Sequence, residues 1–452
     1  MPNPRELALT VLNRVHNEKG TLDQLLAAID APIRALNRPD RALFHALVYG
    51  ILRHQSQLDG VIDQHVRRSS KKMDPTIRII LRLGVYQIRW LDRIPDSAAV
   101  NTSVEAAKKM NRKWAAGFVN GLLRSVAKTD RPAPLPDCRK DPAAYLAAAH
   151  SFPLWLMHRW LKRWGFDHTD ALCRAVNQIP PVTIRTNTLK TNRSTLLTVL
   201  GTESAMLAPC RFSPQGVHLK SLNRPLDQWR TFQEGWFQVQ SEAAQLVTRF
   251  VDPKPEHRVW DACAGLGTKT AHLAQLMGNR GNILATDRHP EKLRRLSAEM
   301  ERLGIHIVRS SPLDLLTMPG DFDAGPFDRI LLDAPCSGLG VLQRNPDGKW
   351  NTGKADVRAN QQRQLALIKE TARHLKPGGV LVYAVCSMEP EENEQVIQGF
   401  LQNHPEFDIF RPEPALSAEC QPLLTPEGFL KTSPHPHRMD GFFTAALKRQ
   451  SP

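Results

Sequence analysis

Two cysteines occupy positions where an open α/β sheet could use them for chemistry. Cys336 lies in Asp333-Ala334-Pro335-Cys336-Ser337-Gly338, directly after the apolar run Ile330-Leu331-Leu332. Cys386 lies in Ala384-Val385-Cys386-Ser387, after Val380-Leu381-Val382-Tyr383. Ligands and reacting groups collect outside the carboxyl ends of such strands. A thiolate is a strong nucleophile wherever its surroundings favour deprotonation. A free cysteine is more often a small core residue. Two of them in polar turns, one following an acid and a proline, point instead to a reactive pair.

The elements that must position this pair alternate between strand and helix. Arg258 to Cys263 reads as a strand, followed by the turn Ala264-Gly265-Leu266-Gly267-Thr268 and a helix from Lys269 to Met277. A second strand, Asn282 to Thr286, ends at Asp287, and Pro290 to Leu303 reads as a helix. Further strands end at Asp333 and Cys386, with a helix from Val357 to Leu375 between them. This alternation implies right-handed βαβ units and a parallel sheet. The glycine turn lets backbone N–H groups approach a ligand, and the acid at Asp287 can hold ribose hydroxyls. Such a fingerprint fits NAD, FAD or S-adenosylmethionine equally.

Longer motifs distinguish these cofactors. "AGLGTKT" (Ala264 to Thr270), "DAPCSGLGVLQRNPDGKW" (Asp333 to Trp350), "VCSMEPEENEQV" (Val385 to Val396) and "DGFF" (Asp440 to Phe443) together resemble the RNA cytosine-5 methyltransferases. The resemblance implies a Rossmann-like α/β core that uses S-adenosylmethionine. It also implies a mechanism suited to cytosine, whose C5 is too weak a nucleophile to take a methyl group unaided. Addition of a thiolate at C6 makes the ring an enamine that can. The family pattern assigns attack to Cys386, removal of the C5 proton and release to Cys336, and contact with base N3 to Asp333. Cofactor contacts carry over to Cys263, Ala264, Gly265, Leu266, Gly267, Thr268 and Lys269, to Asp287 at the ribose, to Asp314 near the adenine, and to Asp333. DNA cytosine-5 methyltransferases attack with a Pro-Cys cysteine, so that analogy would make Cys336 the nucleophile.

The chain departs from the family pattern in places. Gly265, Leu266 and Thr268 stand where the pattern has alanine, proline and glycine, and Thr268 adds a Cβ where backbone is expected to approach the cofactor. Val385 replaces a threonine and Gln343 an arginine. Both cysteines and the acids remain, which implies a working enzyme; the alternative is a catalytically drifted relative that binds RNA as an assembly factor.

The 452 residues suggest about three domains of roughly 150 residues each. A net charge of +15 points to a polyanionic partner. Residues 1–130 hold 21 Lys/Arg against 12 Asp/Glu, which accounts for nine of those fifteen charges. Asn3 can cap a first helix with Pro4 at its first position, and Leu7, Val11 and Val15 form its inner stripe. A helix from Thr76 to Leu91 would bury Ile77, Leu81, Val85 and Ile88. Its Arg78, Arg82 and Arg89 share one side and read equally as a solvated face or an RNA contact. "LVYGILRH", "LRLGVYQIRWLDRIPDSAAVNTSVEAAKK" and "GFVNGLLRS" resemble the NusB-type all-α RNA-binding domain. Fused to this core, that domain marks the Sun/Fmu branch. The branch implies 16S ribosomal RNA, naked or in early assembly, as substrate, with cytosine 967 as the target.

The expected domains are therefore an all-α NusB-like domain at 1–130, a Pro-rich linker at 131–145, a small α+β RRM-like subdomain at 146–240, and the methyltransferase core at 241–452. Ser151 to Gly165 reads as an amphipathic helix whose Trp155, Trp160 and Trp164 pack rather than stack on bases. No apolar run reaches membrane-spanning length, and Pro4, Arg5 and Glu6 interrupt any leader-like run. Seven cysteines without CxxC or HxxxH spacing suggest reduced thiols in a cytoplasm and no metal site. A monomer is the expected state, although no pattern in the chain reports it. Two rival enzymes fit less of the chain. A nicotinamide oxidoreductase leaves "DAPCSG" and "PEENEQ" without a role. An amino-methyltransferase would carry an Asn/Asp-Pro-Pro-aromatic turn where this chain has Asp333-Ala334-Pro335-Cys336.

Overall fold

A computed structural model describes residues 2–18, 20–66, 73–129, 132–202, 206–220, 222, 224–318, 325–412 and 416–451. The expected boundary at 130/131 lies outside the described residues. The chain forms two compact units, the first made of Met1–Gln178 with Leu342–Gly353, the second of Ile179–Val341 with Lys354–Pro452.

The first unit is helical. Asn3 caps Pro4–Asn17 by accepting from the Arg5 N–H, and Thr21 and Gln24 form a capping box on Leu22–Ala28. Pro75–Trp90 buries Ile77, Leu81 and Val85 at helical spacing, while Ile88 is half-buried at the edge of the same core. The arginine stripe on this helix has internal partners. Arg78 pairs with Asp59 at 3.1 Å and Asp63 at 3.4 Å, and Arg82 holds both oxygens of Asp59 at 2.8 and 2.7 Å. Arg89 donates to the carbonyl of Val126 at 3.1 Å. These arginines brace the neighbouring helices Gln55–Gln64 and Ala116–Lys128.

Pro142, expected in the linker, instead opens the helix Pro142–His150, where its missing N–H goes unneeded and Asp141 caps the turn. That helix ends at Ser151 in the left-handed conformation, so the next begins only at Leu154 and runs to Asn177, with a break at Gly165. Trp160 is buried there and packs against Phe152 and Trp164. The excursion Leu342–Gly353 is held by buried polar contacts. Lys349 Nζ donates to the carbonyls of Arg53 and Ser151 at 3.2 Å each and to Asn177 Oδ1 at 2.6 Å, above the ring of Phe152. Trp350 Nε1 donates to the carbonyl of Leu52 at 2.7 Å.

The second unit holds two sheets. The smaller runs β2-β3-β1-β4, all antiparallel, with β1 Val182–Thr186, β2 Leu207–Pro209, β3 Gly216–Leu219 and β4 Phe237–Val239. Ile184, Leu196, Leu200, Val217, Trp229 and Phe237 form its own core.

The larger sheet contains β5 Arg258–Asp261, β6 Asn282–Asp287, β7 Val308–Pro312, β8 Phe327–Asp333, β9 Leu375–Val385, β10 Phe407–Phe410, β11 Leu430–Thr432 and β12 Phe442–Arg449. Its order is β10-β12-β9-β8-β5-β6-β7, with β11 paired to β12. The pairs among β5 to β9 are parallel, and those made by β12 are antiparallel. Along β8, Ile330 and Leu332 enter one core and Leu331 the other, as a strand buried on both faces requires. From β5 the chain winds outward through β6 and β7, then returns to the other side with β8, so the strand order reverses between β5 and β8. Ligand crevices open at the carboxyl ends of strands at such a point.

Candidate active site

The parallel register of β8 and β9 sets Leu332 opposite Tyr383 and Asp333 opposite Ala384. The turns that follow therefore start side by side, and Cys336 Sγ lies 3.2 Å from Cys386 Sγ, both thiols free and half-buried. Beyond the sheet the two turns are tied again. Gly340 donates to the carbonyl of Cys386 at 3.0 Å, and its own carbonyl accepts from Gly441 at 2.7 Å. A Cβ at Gly340 would run into the Gly441 carbonyl, so only glycine permits this approach.

A buried carboxylate clamps the residue after each cysteine. Glu392 accepts from the Ser337 N–H at 2.7 Å, from the Ser337 hydroxyl at 2.5 Å, from the Ser387 hydroxyl at 2.5 Å and from Gln364 Nε2 at 3.3 Å. Burial outweighs these bonds and holds its carboxyl above the usual range. The hydrogen bond with Cys386, and then burial, push the Cys336 thiol well up. Lys269 reaches Asp333 at 2.5 Å. Burial pulls its ammonium down, but the facing Asp333 more than compensates and leaves it raised, with Cys386 contributing to the rise. A positive charge thus stands where a Cys386 thiolate would form.

The glycine turn follows β5. Gly265 and Gly267 are both left-handed, at φ 57° and 81°, and a Cβ at Gly267 would strike Leu296 of the helix Pro290–Leu303. The turn is held by Asp287 at the end of β6, which accepts from the Gly265 N–H at 3.1 Å and the His289 N–H at 2.9 Å. Asp314 follows β7 and accepts from the Leu316 N–H at 3.0 Å. Between these groups lies a cleft of about 210 Å³ whose lining includes Cys263, Gly265, Asp287, Asp314, Asp333 and Arg363, with Leu313, Leu315, Pro335 and Leu367 as apolar wall. Carboxylate oxygens with lone pairs to spare and flat apolar walls suit an adenosine.

Five of the ten residues read from sequence as cofactor contacts line this cleft: Cys263, Gly265, Asp287, Asp314 and Asp333. Ala264, Leu266, Gly267, Thr268 and Lys269 do not. Leu266 is exposed, Thr268 opens the helix Thr268–Leu276, and Lys269 turns toward Asp333. The Cβ that Thr268 adds is therefore off the cleft wall. Sequence reasoning does not single out Glu392, Gln364, Arg363 or the two serines. "PEENEQ" stands out as a motif, but the contact between Glu392 and residues some 50 positions away in the chain exists only once β8 and β9 are neighbours.

Three known patterns cover most of the chain. The 16S rRNA methyltransferase RsmB/F pattern matches residues 248–448, the NusB family pattern residues 2–128, and the RsmF/B-like ferredoxin-like domain residues 152–224. "Probable ribosomal RNA small subunit methyltransferase B" of Synechocystis sp. is 38% identical over 99% of this chain and 100% of its own. The chain belongs to the RsmB/F family of 16S rRNA methyltransferases. Another RsmB/F relative, ribosomal RNA small subunit methyltransferase B of Pseudomonas syringae pv. tomato, is 34% identical over 88% of this chain and 86% of its own. The crystal structure of PH0851 superposes with a TM-score of 0.82 at 28% identity, covering 99% of both chains. As an RsmB/F enzyme, the protein is an S-adenosylmethionine-dependent methyltransferase of ribosomal RNA, with a NusB domain, a ferredoxin-like middle domain and a Rossmann-like core. Among the described residues, no helix is long and apolar enough to cross a membrane.

Proposed function

We propose that this enzyme methylates C5 of a cytosine in 16S ribosomal RNA, at position 967, through a transient bond between Cys386 and C6. The observation that supports this reading is the pair of thiols 3.2 Å apart beside the Lys269–Asp333 ion pair, whose Asp333 lines the cleft. S-adenosylmethionine supplies a methyl group on a sulfonium. Cys263 and Gly265 of the glycine turn, Asp287 at the ribose, Asp314 near the adenine and Asp333 would hold that cofactor.

Cys386 attacks as a thiolate, the form in which a cysteine is nucleophilic, with Cys336 Sγ 3.2 Å away and Lys269 as a charged neighbour. Its electron pair forms the S–C6 bond, and the C5=C6 electrons move to C5, which would take the methyl group as the sulfonium's S–CH3 bond breaks and a neutral thioether leaves. Asp333 would protonate or hydrogen-bond the ring at N3, the proton between them offsetting the negative charge that builds there. Cys336 then loses its proton to water, takes the proton from C5, and the S–C6 bond breaks as C5=C6 re-forms. A reading in which Cys336 attacks rests on the Pro-Cys analogy alone, whereas the sequence around both cysteines matches the RNA enzymes, in which the later cysteine attacks.

The two cysteines should fail differently. Cys386→Ala is expected to abolish both methyl transfer and any covalent RNA adduct. Cys336→Ala is expected to attack and methylate but release slowly, so a methylated RNA–protein adduct accumulates on a denaturing gel. An adduct with Cys386→Ala and none with Cys336→Ala would reverse the roles. Intact S-adenosylmethionine binding without methylation of any 16S RNA would favour the assembly-factor alternative, and bisulfite sequencing of ribosomal RNA with and without the gene tests the position.

A further inference from the structure

A second cluster of reactive side chains lies away from the cysteine pair, where the small sheet meets the core of the same unit. Cys210 follows β2, His218 lies on β3, and Glu242 opens the helix Glu242–Val251. One ligand atom from each, the thiol sulfur, an imidazole nitrogen and a carboxylate oxygen, lies within 4.8 Å of the other two. Cys210 and Glu242 are buried, and His218 is partly exposed, which leaves a route in from solvent.

The surrounding bonds orient these atoms as ligands. The Thr183 hydroxyl lies 3.1 Å from His218 Nδ1, which leaves Nε2 to face Glu242 Oε2 at 3.6 Å. Glu242 Oε1 takes the backbone N–H groups of Phe212 and Ser213, the latter at 3.0 Å, so Oε2 is the oxygen directed at the cluster. A metal-ligating histidine usually has its other ring nitrogen held by a hydrogen-bond partner, and a ligating carboxylate is itself hydrogen-bonded; here the Thr183 hydroxyl and the two backbone N–H groups stand in those places. On the thiol side, a Cβ at Gly216 would press on Cys210 Sγ, so the glycine leaves the sulfur its place over the β-hairpin.

We propose that Cys210, His218 and Glu242 bind one divalent ion of the zinc class, with water in the fourth position. Thiolate, imidazole and carboxylate in a compact, mostly buried set favour zinc over magnesium or calcium, which take oxygen ligands. Binding forms S–metal, N–metal and O–metal bonds and sends the Cys210 proton to solvent. The ion ties the β2–β3 hairpin to the helix Glu242–Val251, joining the small sheet to the core. The spacing 210, 218, 242 carries no metal signature in sequence, because the ligands converge only when hairpin and helix pack.

The test is metal content and cobalt spectroscopy on the full chain. Protein stripped with chelator and titrated with Co²⁺ should take up one equivalent and show a thiolate-to-cobalt charge-transfer band. Zn²⁺ should displace the cobalt and raise Tm by about 2–4 °C. Cys210→Ser should remove the band, and Glu242→Gln, which keeps an oxygen for the Phe212 and Ser213 N–H groups, should weaken uptake at least tenfold. Calorimetric binding of S-adenosylmethionine to both variants checks that they are folded. The assignment is overturned if folded wild-type protein takes up no stoichiometric ion. It is equally overturned if the band persists in Cys210→Ser and disappears in Cys386→Ser, which would put the metal on the reactive pair.

Discussion

At the scale of single residues, the site depends on groups that never need to touch the substrate. Glu392 is a positioning residue, since its four hydrogen bonds fix the turns after both cysteines and it does not line the cleft. Glu392→Ala should lower kcat about 10–100-fold through loss of alignment, with S-adenosylmethionine affinity nearly unchanged. Glu392→Gln should recover part of the loss. Single-turnover rates and calorimetry check this, and a fall in cofactor affinity equal to the fall in rate would show a general structural role instead. Asp261 gives a second prediction. Its Oδ2 accepts from Thr270 at 2.7 Å, its buried Oδ1 has no hydrogen-bond partner, and burial pushes its pKa to about 7. A carboxyl raised in the folded state binds its proton more tightly folded than unfolded. Stability from this group is therefore present below about pH 4 and is lost as pH rises to about 7, at up to roughly 1.4 kcal/mol per pH unit. Asp261→Asn should flatten that window in melts taken from pH 4 to 8. An unchanged slope would assign the pH dependence to another group.

At the scale of elements, the least expected feature is the stretch after the Cys336 turn. "QRNPDGKW" reads as part of a catalytic motif, yet Leu342–Gly353 belongs to the helical unit. Lys349 is buried there, and burial drives its ammonium well below its ordinary pKa, while two carbonyls, one amide oxygen and the Phe152 ring surround it. Lys349→Met keeps much of the side-chain volume but strands three buried acceptors. It should destabilise the helical unit by about 2–4 kcal/mol in urea unfolding. A change below about 0.5 kcal/mol would mean that these acceptors find other donors. Asp347 acts in the same segment by accepting from the Leu22 N–H at 3.0 Å.

At the scale of the whole molecule, the charge surplus concerns RNA. Deleting residues 1–130 would also remove Arg53, one of the three acceptors of Lys349, and the partners of Trp350 and Asp347, so loss of activity on truncation would mix targeting with unfolding. Exposed cations outside the ion-pair network give a cleaner measurement. Lys113, Arg124 and Lys128 are exposed on and beside Ala116–Lys128. Replacing all three with glutamate should weaken RNA binding. The dependence of log affinity on log salt should also flatten, by about one unit for each phosphate that the protein no longer neutralises. Filter binding over a salt series checks this, and an unchanged slope would place the RNA path elsewhere.

Asp314 came only with the family resemblance, while the sequence by itself determined the alternation that builds the large sheet, the turns that carry Cys336 and Cys386, and the acids Asp287 and Asp333 at strand ends. Each is a local signal: an apolar run, a glycine at positive φ, a polar residue just past a strand. Local signals also set the caps at Asn3 and the start of the Pro290 helix. The tertiary structure decided what required strand order. The cysteines meet because β8 and β9 are neighbours in register, and Glu392 clamps both turns for the same reason. It also turned Arg78 and Arg82 inward to Asp59, where the charge pattern left an RNA contact open. It gave Lys349 to the helical unit, since a buried ammonium needs acceptors from three distant segments. Pairings across tens or hundreds of residues leave no period or spacing in a chain; they exist only once packing has closed the loops between them.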